Sequence, residues 1–316
     1  MCKTSQPIRV YSSHSQIRPE LEQVSDRHVQ QPPIEDSAEW LLAQCIEQHI
    51  DLLFCGKHSI YIEQLRDQFA AANIKLVTGA IGTQNHHDIE DKFVFTQICS
   101  AAGLPVIPAE KVSNATELVT AINDFKALGQ TQLCVKPVIG VFGAGFVQLQ
   151  DELGYFEHFL NPWQCNTQQF IEAYASHPAC DYLLMPFFSG IECSVDIACS
   201  QGQIIQKVTR IKHPYYQQCV LDGPCDAWCE RLVKLFHCDG LINIQFKQND
   251  TQQWHILEIN HRPAGGFAYT LHTGVNLVAE LICAKLNLEI TELSPRLDQV
   301  WVRPVTTTLA VEFAET

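Results

Sequence analysis

No apolar run in this 316-residue chain reaches the ~18 residues that cross a bilayer. The opening residues MCKTSQPIRVYSS lack the basic start and apolar stretch of a secretory leader. The expectation is therefore a cytoplasmic protein with no membrane partner. Positive charge is scarce, with 21 Lys and Arg against 35 Asp and Glu, a formal net charge of −14. That argues against a general nucleic-acid surface, and any phosphate-rich ligand must find its cations gathered locally. No internal repeat is present. No cysteine stands in a nucleophile-elbow context, so a glutamine amidotransferase signature is missing as well.

Cysteine itself is plentiful, at 14 residues. Cys45, Cys99, Cys134, Cys193, Cys199 and Cys283 fall in apolar patterns and read as reduced cysteine used as a small hydrophobe. A disulfide framework suits short secreted chains instead. Cys219, Cys225, Cys229, His237 and Cys238 lie near one another and leave a zinc site open, although structural zinc sites use tighter paired spacings.

Strand and helix patterns alternate nearly throughout, which favours α/β layers. Strands are expected at 9–13, 51–55 and 75–78, with helices at 37–48 (Ser37 as N-cap) and 60–72, so residues 1–90 read as a small open α/β domain. The polar stretch 82–88 reads as a linker, His86 and His87 included. From 91 to 316 the pattern gives helices at 91–102 and 116–128 and strands at 106–112, 133–137, 146–149, 183–188, 192–198 and 203–211. A helix follows at 224–236 with Asp222 as cap, then strands at 241–247 and 254–259, a helix at 275–286 and a last strand at 300–311.

The strongest chemistry lies in the strand pair NIQF (Asn243–Phe246) and LEINHRP (Leu257–Pro263). Side chains alternate along a strand, so Glu258, Asn260 and Arg262 share a face, and Gln245 on the neighbouring strand can join them. Leu257 and Ile259 point the other way, into a core. An oxygen-rich face suits Mg²⁺, which takes carboxylates, amide oxygens and phosphates, and an arginine suits a phosphoryl group or carboxylate. The alternative is a solvated hairpin face. A glycine-rich turn, VIGVFGAGF (138–146), joins two strands, whereas a P-loop opens a helix. Gly140, Gly143 and Gly145 let backbone N–H groups approach a phosphate.

These residues together resemble the ATP-grasp superfamily over about 91–286, and the strand pair is most similar to that of the carbamoyl-phosphate synthetase large chain. The Met-Pro hinge and the Gln/Glu-x-Asn set are similar to stand-alone bacterial enzymes of biosynthetic operons, including those near tellurite-resistance genes. The resemblance implies a two-subdomain α+β fold with mixed and antiparallel sheets, with a lid at about 130–187. It implies Mg²⁺ ligation by Gln245, Glu258 and Asn260, with two ions and Mn²⁺ as a substitute. It places Lys92, Lys136 and the glycine loop on the ATP phosphates. The segment Leu184, Met185, Pro186 and Phe187 would line adenine, and Glu192 would hold the ribose. Many relatives have Glu at the position of Met185. Arg210 and Arg262 would face the transferred phosphoryl or acyl phosphate, and the PAGGF turn at 263–267 would border the carboxylate.

The implied activity is an ADP-forming ligase that activates a small carboxylate for attack by an amine, or less readily a thiol. A phosphotransferase on the same scaffold and a nucleotide-binding subunit without catalysis remain open. A homodimer is a further expectation from relatives.

Overall fold

The computed structural model describes residues 3–56, 59–140, 143–154, 156–177, 180–292 and 294–305. The chain forms two compact units. One holds Met1–His86, Ser194–Asn243 and Asn260–Thr316, and the other His87–Cys193 and Ile244–Ile259. Each is therefore assembled from segments distant in sequence.

The second unit carries a five-stranded sheet. Its order is Gln164–Asn166, Val147–Gln150, Leu133–Pro137, Tyr182–Pro186 and Glu110–Val112. The first two strands pair in parallel and the rest antiparallel, so the sheet is mixed. Two helices, Ala115–Ala127 and Thr167–Ser176, contribute buried side chains: Leu118, Ala121, Ile122 and Phe125 from one, Tyr174 from the other. These pack with Val112, Leu133, Val135, Leu149 and Leu184 into one core. Each helix starts at an asparagine: Asn114 Oδ1 accepts from Glu117 N at 3.0 Å and Asn166 Oδ1 from Gln168 N at 3.0 Å, which satisfies N–H groups a helix start leaves without partners.

A second sheet runs Trp254–Asn260, Cys238–Gln248, Glu192–Ser200, Gln203–Lys212, Gln217–Val220 and Gln299–Val302 in that order, with Gly79–Ala80 paired on Cys238–Gln248; the first unit takes its residues 194–243 and the strands Gly79–Ala80 and Gln299–Val302. Val208, Cys219, Leu241, Val275, Leu277 and Leu281 form its core. A smaller core of Leu41, Cys45, Cys55, Ile62, Phe69, Ile74 and Leu76 packs the N-terminal segment, where Leu52–Phe54 and Lys75–Val77 pair in parallel. Burial pushes the thiols of Cys99, Cys134 and Cys199 up to about 12, the state of an inert small hydrophobe. Among the described residues no group of three His, Cys, Asp or Glu is placed to hold a metal, which leaves the zinc alternative without a ligand set. Among them too, no single helix is long and apolar enough to cross a membrane.

Several elements differ from their sequence expectation. The supposed linker at 82–88 is a helix, Thr83–Glu90, and His86 is fully buried with Nε2 2.9 Å from the Ala80 carbonyl. Its polar sequence hid a helix that buries both His86 and Ile89. The helix expected at 60–72 is two, Ile60–Glu63 and Arg66–Ala71. Asp36, not Ser37, occupies the N-cap position of the next helix upstream, because Ser37 Oγ donates back to Ile34 O at 2.8 Å. The helix expected from 224 with Asp222 as cap begins at Asp226; Cys225 holds the N-cap position, and the Asp226 carboxylate accepts from Gly223 N at 2.9 Å, just before the helix. Only Glu110–Val112 of 106–112 is a strand. The last strand is Gln299–Val302, and residues 306–311 of its expected range lie outside the described residues.

One buried network ties the N-terminal segment together. Glu63 accepts from Arg66 Nε at 2.6 Å, from Arg66 NH2 at 2.8 Å, from Thr78 Oγ1 at 2.6 Å and from Gly82 N at 2.6 Å. Burial alone would raise its carboxyl, but Arg66, Thr78 and Gly82 outweigh it and hold the group below the usual 4.5. A depressed carboxylate contributes stability above its unfolded value, and the contribution is lost as pH falls through the folded one. We expect Glu63→Gln to cost about 1–3 kcal/mol at neutral pH, with the gap to wild type closing as pH drops below 4.5. Denaturant unfolding across pH checks this; a gap that widens in acid contradicts it.

Candidate active site

Lys136 lies in the middle of the sheet, opposite Leu183 in the ladder, and is only 8% exposed. Burial pushes its pKa below the ordinary lysine value of 10.5, and the Glu258 carboxylate pulls it back up. Lys92 shows the same balance: burial lowers it, Glu258 raises it and Lys136 lowers it. These three charges therefore lie near enough to act on one another.

Asp91 fixes Lys92 there by capping its helix, accepting from Phe93 N at 2.9 Å and Val94 N at 3.0 Å. The Lys92 backbone N–H donates to Val138 O at 3.1 Å, and its Nζ donates to Gly140 O at 2.7 Å. The root of the glycine loop is thus bonded to the same lysine. Gly143 and Gly145 both have positive φ, 69° and 77°, and Val141 and Phe142 lie outside the described residues.

Next to Lys136, strand alternation turns Cys134 to an apolar cluster with Ile107 and Met185. Phe146, Phe187, Phe188 and Leu257 pack on it. Three phenylalanines and aliphatic side chains make this surface apolar, the kind of lining that ligand pockets use. Met185 is 4% exposed and supplies apolar surface where a carboxylate would be. Leu184 points the other way, into the sheet's helical core, so only its backbone faces the hinge side. Pro186 ends the strand and is buried, and Glu192 opens the next one half-buried.

Gln245 stands between Ile244 and Phe246, both fully buried, so it faces away from them. On the adjacent strand Trp254–Asn260, Ile256 shares the Glu258 face by alternation, yet is 2% exposed with its N–H donating to Pro105 O at 2.7 Å. A solvated hairpin face would not bury that residue. Leu257 packs on the hinge cluster and Ile259 is 4% exposed, so the strand is covered on both faces.

Arg210, Asn260 and Arg262 belong to the other unit. Arg210 is 2% exposed and ion-paired with Asp196. Arg262 NH1 donates to Pro263 O at 3.1 Å. Asn276 caps the helix Leu277–Leu286, accepting from Ala279 N at 3.1 Å, and that helix begins later than expected.

Sequence reading missed Gly79. Its φ is +95°, and a Cβ there would overlap the backbone carbonyl of His261. His261 lies between Asn260 and Arg262, and its ring packs edge-on to His86 at 4.7 Å. Backbone and ring of His261 are thus both braced by the segment 79–86. The isolated Gly-Ala after a short strand gives no sequence signal of a contact about 180 residues away, since only close approach reveals it.

This architecture is that of known enzymes. Over 90% of this chain and 74% of that one, it is similar to N5-carboxyaminoimidazole synthetase from Staphylococcus aureus complexed with ADP, with TM-score 0.62 at 15% identity. The biotin carboxylase–β-γ-ATP complex from Campylobacter jejuni gives TM-score 0.60 at 14% identity over 87% of this chain; the chain spans 64% of that protein's length. D-alanyl-alanine synthetase A from Vibrio cholerae gives 0.54 at 16%, over 75% of this chain and 76% of that one. No curated protein matches in sequence. The chain shares the fold of these solved structures. Residues 179–308 match the family model described as ATP-grasp in the biosynthetic pathway with Ter operon.

Two outcomes are expected from this geometry. Gly79→Ala forces the His261 backbone to move and strains φ, so Mg²⁺-dependent nucleotide affinity should fall about tenfold or more; unchanged calorimetric affinity contradicts the bracing role. Because burial lowers Lys136, nucleotide affinity should decline on the alkaline side before pH 10.5. Glu258→Gln removes the charge that raises both lysines, so the decline should move to still lower pH. An alkaline limb that does not move contradicts the shared locality.

Proposed function

We propose that this protein is an ADP-forming ligase that activates a small carboxylate as an acyl phosphate for attack by an amine. The observation that carries the reading is the buried Lys136 and the half-buried Lys92, both acted on by Glu258, beside an apolar cluster that includes three phenylalanines. In a chain of net charge −14, two desolvated cations at one carboxylate have a purpose if a polyanion lies between them.

The donor set fits a hard divalent cation. Gln245, Glu258 and Asn260 offer oxygen only, and with one carboxylate among them the remaining positions fall to phosphate oxygens and water, as Mg²⁺ prefers. Bound there, Mg²⁺ would neutralise charge on the phosphates; two ions, or Mn²⁺ in their place, suit the same donors. The chain's own residues do the rest. Lys136 and Lys92 hold the phosphates, and loop glycines 140, 143 and 145 cover them and exclude water. Met185, Pro186 and Phe187 and the Leu184 backbone seat the base, and Glu192 accepts from the ribose hydroxyls. A carboxylate oxygen attacks the γ-phosphorus, the bond from that phosphorus to the β-bridging oxygen breaks, and ADP leaves. Arg210 and Arg262 meet the oxygens of the transferred group. The amine nitrogen then attacks the acyl carbon, releasing phosphate and a proton.

The solved structures similar to this chain support this reading: they include a biotin carboxylase, an N5-carboxyaminoimidazole synthetase complexed with ADP and a D-alanyl-alanine synthetase. A cytoplasmic location, small-molecule partners and a homodimer belong to the same proposal. The test is ADP and phosphate release from Mg-ATP with pooled carboxylic acids, with and without amino acids, beside Glu258→Gln. Turnover that needs both an acid and an amine, and falls by about 10²-fold or more in the variant, is expected. A phosphorylated product stable without any amine would instead establish a phosphotransferase, and turnover untouched by Glu258→Gln would sink the site assignment.

A further inference from the structure

Arg210 is held from two sides. Its Nε donates to Asp196 Oδ2 at 2.5 Å and NH2 to Oδ1 at 3.3 Å, while NH1 donates to Gln217 Oε1 at 2.8 Å. Asp196 is wholly buried, and its Oδ1 also accepts from Asn243 Nδ2 at 2.9 Å. The strands explain the convergence. Lys212 pairs with Gln217 and Arg210 with Cys219, so Arg210 and Gln217 share a face, and Asp196 and Asn243 reach that face from the two strands beyond. A guanidinium has five N–H groups in a fixed fork. Three are taken, which leaves one on each terminal nitrogen.

A turn also packs closely on the guanidinium. A Cβ at Gly266 would overlap Arg210 NH1 and lie 3.0 Å from Cζ. Glycine at that point lets the turn after the Asn260–Arg262 segment settle against the guanidinium. A buried ion pair is by itself a weak source of stability, since well-packed apolar residues serve as well. Three polar side chains from three other strands, two bonded to the arginine and the third to its carboxylate partner, fit the orienting of that arginine better than the holding of a core.

We propose that Asp196 is a positioning residue for phosphoryl transfer: with Asn243 and Gln217 it locks the Arg210 guanidinium so that its outer N–H groups meet the oxygens of the transferred phosphoryl group. This rests on the ligase reading above. Asp196 touches no substrate and acts through Arg210.

The test uses Mg-ADP with tetrafluoroaluminate, a mimic of the phosphoryl group in transit, and reads affinity by calorimetry on the full chain. In wild type, tetrafluoroaluminate should tighten Mg-ADP binding by about tenfold or more. Asp196→Asn should keep the affinity for Mg-ADP alone and lose that gain, and Asp196→Glu should recover part of it. Because Asp196→Asn leaves Arg210 buried beside a neutral partner, the double variant Asp196→Asn/Arg210→Gln is measured as well. It should regain melting temperature while the gain stays lost, a separation a purely structural pair would not show. An undiminished gain in folded Asp196→Asn overturns the positioning role. A wild type with no gain overturns the phosphoryl-transfer reading beneath it.

Discussion

A lysine inside a sheet keeps its proton only if something nearby repays the loss of water, and for Lys136 the principal opposing charge is Glu258. Much of the second unit is arranged around that constraint. The carboxylate comes from the segment 244–259 and the lysine from the strand Leu133–Pro137, more than a hundred residues away in sequence. Lys92 completes the group from the first turn of a helix, and Asp91 sets where that turn begins. Two lysines and one carboxylate leave a single net positive charge, and on the proposed reading that small excess lets a further cation and a polyanion enter as a pair. A purely cationic pocket would bind anions without a metal; this one, on the proposed reading, asks for both.

Rigid strands carry nearly all of these groups, which suits a site that must hold atoms to fractions of an ångström. The brace from Gly79 and His86 onto His261 extends the same logic to Asn260 and Arg262. The N-terminal segment therefore does more than precede the proposed nucleotide site: it packs directly on backbone beside two proposed site residues in its own unit. The Asp196–Arg210 pair repeats the pattern, a buried support behind a group meant to act.

The strand pairs at 133–137 and 147–150, and at 238–248 and 254–260, were legible because apolar alternation and Gly or polar turns mark them locally. Glu258 stood out because its spacing to Asn260 and Arg262 is a property of one strand. Asp196 did not stand out, although Glu192, Ser194 and Asp196 alternate along the next strand, because an acid among Cys, Val and Ile reads as an isolated polar residue until its arginine is placed. His86 and Gly79 were illegible for a related reason: their contacts lie about 180 residues away. The helix Thr83–Glu90 was hidden by low hydrophobicity, and the Gln164–Asn166 strand by brevity.

The measurement closest to the central claim is electron paramagnetic resonance of Mn²⁺ on the protein with ATP, the protein carrying ¹³C-carboxyl glutamate. Hyperfine coupling from phosphate ³¹P and from a carboxyl ¹³C, the latter lost in Glu258→Gln, is the predicted spectrum. A spectrum identical to Mn-ATP in buffer, with no carboxyl coupling, would contradict the placement of nucleotide and metal at Glu258.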